Sequence, residues 1–154
     1  MTARNVVQEA LERFGRQAGL EKKSGAWYRG GDEVIAVVDL QKSQYGPQYY
    51  LNLGFWLREL EGERYPKGSE CHILLRLETL VPQERHRIVH LLDMEEDVPD
   101  EQRIEELVAL LTDRVLPVIE RAGTVAGLRA LVDDGTLASA AIRGPAQRVL
   151  SSAT

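Results

Sequence analysis

The sequence predicts an α+β domain: a four-stranded antiparallel meander sheet with an N-terminal helix and a C-terminal helical segment. Three observations predict it. Strand-like runs gather between residues 26 and 79 and helical periodicity takes over from residue 82, an order that favours helices packed on one face of a sheet over alternating βαβ units. Short turns rich in Gly and Pro join the strand-like runs, as in hairpins. The chain has 154 residues, 44% of them hydrophobic and 28% charged, which suits one globular domain of about 100–200 residues. Within it the sheet core covers 26–79, the helical part 82–135, and a segment of small residues 136–154.

Residues 4–18 read as an amphipathic helix. Val6, Val7, Ala10, Leu11 and Phe14 fall at helical spacing among charged residues, and Gly15 and Gly19 bracket its end. Lys22 to Gly25 is a polar turn. Ala26 to Arg29 is a short aromatic strand, and Gly30-Gly31-Asp32 a tight hairpin signal. Glu33 to Lys42 and Gln48 to Leu57 are the two long strands, joined through Ser43-Gln44-Tyr45-Gly46-Pro47. A charged loop over 59–69, carrying Gly62, Pro66 and Gly68, leads to the last strand, Glu70 to Glu78.

Pro82 to Leu92 suits a short helix and Met94 to Pro99 an acidic connection. From Asp100 to Arg121, Ile104, Leu107, Val108, Leu111, Val115 and Ile119 form one apolar stripe. Pro117 inside it should kink or end the regular hydrogen bonding. Gly123-Thr124 reads as a stop followed by a new N-cap, and a shorter helix ends near Gly135. The tail, interrupted by Gly144-Pro145, suits a loosely docked helix with mobile last residues.

The bulk properties exclude several classes. The net charge is −5, and its bases are scattered among acids instead of forming the stripe a nucleic-acid binder needs. No apolar run nears the ~18 residues of a membrane span, and Met1 to Leu11 lacks the apolar stretch of a signal peptide. The single cysteine, Cys71, rules out an internal disulfide and fits a cytoplasmic location.

The candidate site follows from strand parity, because successive strand side chains point to opposite faces. Pairing the long strands so that apolar residues meet sets Leu40 opposite Leu51 and Val38 opposite Leu53, with Ala36 and Phe55 on the same face. The other face then holds Asp39, Gln41 and Ser43 beside Tyr50, Asn52, Gly54 and Trp56. A slip of one residue would mix the two faces, which burial disfavours. By the same test Cys71, Ile73, Leu75 and Leu77 join the apolar face, and His72, Leu74, Arg76 and Glu78 the polar one. Asn52 then lies across from Arg76, Tyr50 from Glu78, and Trp56 from His72. A solvated sheet face is the ordinary reading. Amides and aromatics in place of long charged residues favour a binding surface instead, and Gly54 marks the close approach of a ligand or another backbone.

Other constellations are weaker. His86 and His90 share a helix side, but Arg87 stands where a metalloprotease has Glu, and no third ligand is clearly supplied, so no metal or cofactor is expected. Cys71 and His72 point to opposite faces of a regular strand and cannot form a thiol–imidazole pair. The stripe over 104–119 is most simply core, and an extra apolar side there leaves a homodimer open.

The segments Trp27-Tyr28-Arg29, Val38-Asp39-Leu40-Gln41-Lys42-Ser43 and Tyr49-Tyr50-Leu51-Asn52-Leu53-Gly54 resemble the bacterial family catalogued as domain of unknown function 4304. There a Leu-Gln-Lys-Ser pattern, a Gly-containing turn, an aromatic and Asn-x-Gly recur. Gly19-Leu20 to Lys23 resembles its opening, where Gly-Phe is usual. The likeness extends over about residues 4–120. It implies a stand-alone bacterial domain without an established activity, and it singles out Gln41, Lys42, Ser43, Asn52 and Gly54.

The expected function is a non-enzymatic binding module holding a protein segment or a small polar ligand on the face of Asp39, Gln41, Tyr50, Asn52 and Arg76. Small acidic bacterial domains of this type often serve as immunity or accessory proteins, an analogy of fold only. The competing reading is a small enzyme with Asp39 or Glu78 as general base and Arg76 or Lys42 stabilising an anion. A third has residues 136–154 filling the polar face.

Overall fold

The computed structural model of the protein describes residues 5–61 and 65–151. The predicted helix start at Arg4, Gly62 of the charged loop and the last three residues lie outside that range. The first helix, α1 (Val6–Ala18), is capped by Asn5, whose side chain accepts from the Gln8 N–H, and ends at Gly19 with φ 73°. That left-handed conformation is the one glycine adopts without a Cβ penalty.

An antiparallel meander follows: β1 (Glu21–Lys23), β2 (Ala26–Gly30), β3 (Val34–Lys42) and β4 (Tyr49–Leu57). The four-residue helix α2 (Arg58–Glu61) comes next, then a turn of 3-10 helix over Gly68–Glu70, and then β5 (Ile73–Arg76). A short helix α3 (Leu77–Leu80), a 3-10 turn over Pro82–Glu84 and α4 (Arg85–Leu92) lead to α5 (Asp100–Leu110). α5 runs through a π-helical turn, Leu111–Val115, into α6 (Leu116–Arg121). The chain closes with α7 (Val125–Asp133), β6 (Ala141–Ile142) and α8 (Gly144–Ser151). The strands lie in chain order across one sheet.

The fold is thus α+β with a meander, as predicted, but with six strands instead of four. Lys22 and Lys23, expected in the polar turn over 22–25, lie instead with Glu21 in an edge strand: its polar side chains lack the apolar alternation that betrays a half-buried strand. β6 comes from the tail and pairs only Ile142 with Ile73 and Ala141 with Leu74. The last predicted strand, 70–78, is cut at both ends. The 3-10 turn occupies its start, and Leu77 and Glu78 belong to α3, where the Val81 N–H closes on the Leu77 carbonyl.

The register of the long strands is the predicted one: Leu40 faces Leu51, Val38 faces Leu53, and Asn52 faces both Asp39 and Arg76. One sheet face carries Val34, Ala36, Val38, Leu51, Leu53, Phe55, Ile73 and Leu75 into the main core, with α1 and the helices from α4 to α8. Pro117 has no N–H to give, and the ladder widens into the π turn just before it. Thr124 caps α7 by accepting from the Gly127 N–H at 3.0 Å.

The tail is docked more firmly than expected. Leu137, Ala146 and Leu150 join the main core, and Arg129 donates to the carbonyls of Leu150 and Val149. Pro145 stands in the first turn of α8, where its missing N–H costs nothing.

Candidate functional site

The second sheet face is divided in two. Its apolar half holds Ala26, Tyr28, Ile35, Val37 and Trp56, and these bury together with Cys71. The segment from Tyr65 to His72 covers it. Tyr28 Oη donates to the Pro66 carbonyl at 2.9 Å, and the Tyr65 ring meets Tyr28 edge-on at 5.1 Å. The His72 ring lies 4.4 Å from the Trp56 ring. His72 Nδ1 accepts from the Leu57 N–H at 2.9 Å, so the neutral ring carries its proton on Nε2, 3.2 Å from Glu61 Oε1. A Cβ added to Gly54 would lie 2.7 Å from Cys71 Sγ. The missing side chain therefore makes room for the chain's own covering segment.

The polar half stays open. Pairing carries one row of residues across the sheet: Lys23 with Ala26, Ala26 with Asp39, Asp39 with Asn52, and Asn52 with Arg76. Directly paired residues point to the same side, so the row forms the floor of a groove of about 870 Å³. Tyr65, Lys67 and Glu70 form one wall. Asn52 Nδ2 donates to Asp39 Oδ1 at 2.9 Å and to Gln41 Oε1 at 3.2 Å. Asp39 Oδ2 accepts from the Gly68 N–H at 3.1 Å, which ties floor to wall. A Cβ on Gly68 would stand 2.1 Å from that oxygen. At the two ends the bases are backed by rings: the Arg76 guanidinium lies 4.0 Å from the Tyr50 centroid and Lys23 Nζ 4.2 Å from that of Tyr65. Burial, and then the nearby Cys71, Asp39 and Glu70, hold the Tyr28 phenol above its ordinary 10.0.

Of the residues predicted for the site, Asp39, Gln41, Asn52 and Arg76 line the groove, and Tyr50 supports Arg76. Gly54 and Trp56 are buried beneath the covering segment. Ser43 lies beyond the end of β3, accepts from the Tyr45 N–H at 3.1 Å, and borders a separate small hollow at the β3–β4 turn. Glu78 does not face Tyr50: it is buried in α3, and its Oε1 has no hydrogen-bond partner among the described residues. Lys42 pairs with Tyr49, one step out of phase with Gln41, and so points to the other side of the sheet.

Cys71 joins the Trp56 cluster and not the main core, because regular pairing begins only at Ile73 and parity does not reach it. No thiol–imidazole pair forms with His72, but the reason differs from the expected one: the ring nitrogens are taken by Leu57 and Glu61. Sequence reasoning missed Lys23, Tyr28, Tyr65, Lys67 and Glu70. Parity extended into the Ala26–Arg29 strand would have found Tyr28; the loop residues carry no periodic signal.

Helices on one face and a polar groove on the open half of the other define a small α+β domain. The chain belongs to the family described as a domain of unknown function, DUF4304, whose model matches residues 13–121. The match takes in the whole groove, from Lys23 to Arg76. No curated protein and no solved structure matches the chain. Among the described residues, no three His, Cys, Asp or Glu side chains cluster as metal ligands, and no helix is long and apolar enough to cross a membrane.

Proposed function

We propose that this domain is a non-enzymatic binding module that holds its ligand in the groove over Asp39, Gln41, Asn52 and Arg76. The observation that carries the reading is the linked set Asp39–Asn52–Gln41, a polar network at the floor of an open cavity with an arginine stacked beside it. Pockets that fix a ligand's orientation commonly rely on a few such convergent polar groups. The network argues for recognition over proton transfer. Asp39 is held in place by one hydrogen bond to each oxygen, from the Asn52 amide and the Gly68 N–H, and Glu78, the other candidate base, belongs to α3. Tyr50 and Arg76 supply flat contact area and a fork of donors. An immunity or accessory role, in which a small acidic domain grips a partner, would use the groove in this way, by analogy of fold alone.

The test compares pull-downs from source-cell extract by the wild type and by an Asn52→Ala/Gln41→Ala double variant whose circular dichroism and Tm show it folded. The expected result is a ligand or partner retained by the wild type and lost from the variant. An unchanged set of captured molecules removes the groove from consideration.

A further inference from the structure

The groove has a charge pattern that specifies its occupant more narrowly than its shape does. Its acids are engaged within the protein: Asp39 by Asn52 and the Gly68 N–H, and Glu70 Oε1 by the Lys67 N–H at 2.8 Å. Its terminal bases are oriented without being neutralised. Arg76 stacks on Tyr50 and pairs with no carboxylate among the described residues. Lys23 sits over Tyr65, and its contact with Glu21 at 3.5 Å is between exposed side chains, the kind worth little in water. Cationic ends thus flank a floor whose centre carries the Asp39 charge, with Lys67 on the wall beside it.

The spacing is set by the sheet. Lys23 and Arg76 stand at the two ends of one row, four strand steps apart. At about 4.8 Å per step that is roughly 19 Å. One small carboxylate cannot reach both ends, whereas an extended chain rising about 3.3 Å per residue covers the distance in about six residues.

We infer that the groove takes an extended acidic segment of another protein, lying across the strands, with a carboxylate at each end and an uncharged centre. Arg76 holds one terminal carboxylate and Lys23 the other. Asp39 and the Gln41 carbonyl meet backbone N–H or hydroxyl donors of the middle residues, and the Asp39 charge repels an acid placed there. Attraction at the ends and repulsion in the middle together give selectivity. The inference rests on reading the groove as the binding site.

The test uses amide NMR of the isotope-labelled protein with three blocked hexapeptides: Glu-Ser-Ala-Ser-Ala-Glu, its isomer Ser-Ala-Glu-Glu-Ala-Ser, and the neutral Gln-Ser-Ala-Ser-Ala-Gln. The first two have equal charge and composition, so general electrostatic attraction is controlled. The expected result is that the end-acid peptide shifts the amides around Lys23, Asn52 and Arg76, and that the isomer and the neutral peptide bind at least about fivefold more weakly. Arg76→Ala and Lys23→Ala should each weaken the end-acid peptide by up to about fivefold, as partly exposed ion pairs do, with spectral dispersion unchanged. Equal binding of the two isomers, or of the neutral peptide, overturns the acidic-segment inference while leaving a groove that binds. Absence of groove shifts with all three peptides also overturns it, and the pull-down with the Asn52→Ala/Gln41→Ala variant then decides separately whether the groove binds anything.

Discussion

Replacing Gly54 by alanine isolates the contact that holds the covering segment to the sheet. The added Cβ would lie 2.7 Å from Cys71 Sγ, 2.9 Å from Cys71 Cβ and 3.4 Å from the Gly68 carbonyl oxygen. Two effects oppose each other. Alanine is the better strand residue by about 0.5–1 kcal/mol, since glycine loses more backbone freedom on folding. Forcing a methyl into a filled site costs about 1–3 kcal/mol. Cys71 is 2% exposed and short, so it cannot swing aside, and overpacking wins.

The net loss should be roughly 1–2 kcal/mol, or a Tm lower by about 2–8 °C for a chain of this size. Urea unfolding measures it as a lower midpoint at constant slope. The diagnostic step is a double-mutant cycle with Cys71→Ala. Removing Sγ abolishes the shortest contact, so Gly54→Ala should cost less in that background, with a coupling of at least about 0.5 kcal/mol. A neutral or stabilising Gly54→Ala, or equal costs in both backgrounds, would refute the packing of Cys71 on Gly54.

Two further predictions concern groups outside the groove floor. Arg103 is 2% exposed, and its guanidinium donates to the carbonyls of His90, Leu91, Asp93 and Glu96; Arg103→Met should destabilise by about 3 kcal/mol, because those carbonyls lose their donors at once. A change below about 1 kcal/mol in denaturant unfolding would show that water replaces the guanidinium. For Tyr28 the folded state holds the phenolic proton more tightly than the unfolded chain does, so this contribution to stability is full below pH 10.0 and is lost as pH rises through the raised value. Followed by phenolate absorbance, one of the five tyrosines should titrate late, and Tyr28→Phe should remove that late step and flatten the alkaline fall in stability.

The groove's floor was legible in the sequence and its wall was not, for one reason. Side-chain alternation in a strand is a strict period, and burial of one face leaves a single register; Leu40, Val38, Leu51 and Leu53 were enough to place Asp39, Gln41 and Asn52 together and to set Arg76 beside them. The period ends with the strand. Leu77 fits strand parity and helix packing equally well, so pattern alone could not say that Glu78 leaves the sheet. Pro66, Gly68 and Cys71 return over the sheet by contacts that no local period encodes. The apolar residues Ile35, Val37 and Trp56 on the supposedly polar face were the readable hint that something covers that half. An interruption at Pro117 was legible because proline lacks a donor whatever its surroundings, but its form, a π turn over Leu111–Val115 with the helix continuing beyond it, was not.

The cover and the groove depend on each other through Asp39. Each carboxylate oxygen has two lone pairs, and in Asp39 one oxygen spends one of its pairs on the Asn52 amide and the other spends one on the Gly68 N–H. Its charge thus fastens the covering segment to the floor. The rings behind Arg76 and Lys23 act in the opposite sense: a π face orients a cation but leaves its charge available to a ligand. The groove therefore presents bases at its ends while its acid is engaged inside. Gly68 is where both properties meet. Any larger residue there would set its Cβ 2.1 Å from Asp39 Oδ2, so it must displace either the carboxylate or the wall. The segment that buries Trp56 is accordingly also the wall that fixes the Asp39 carboxylate in the open half of the face.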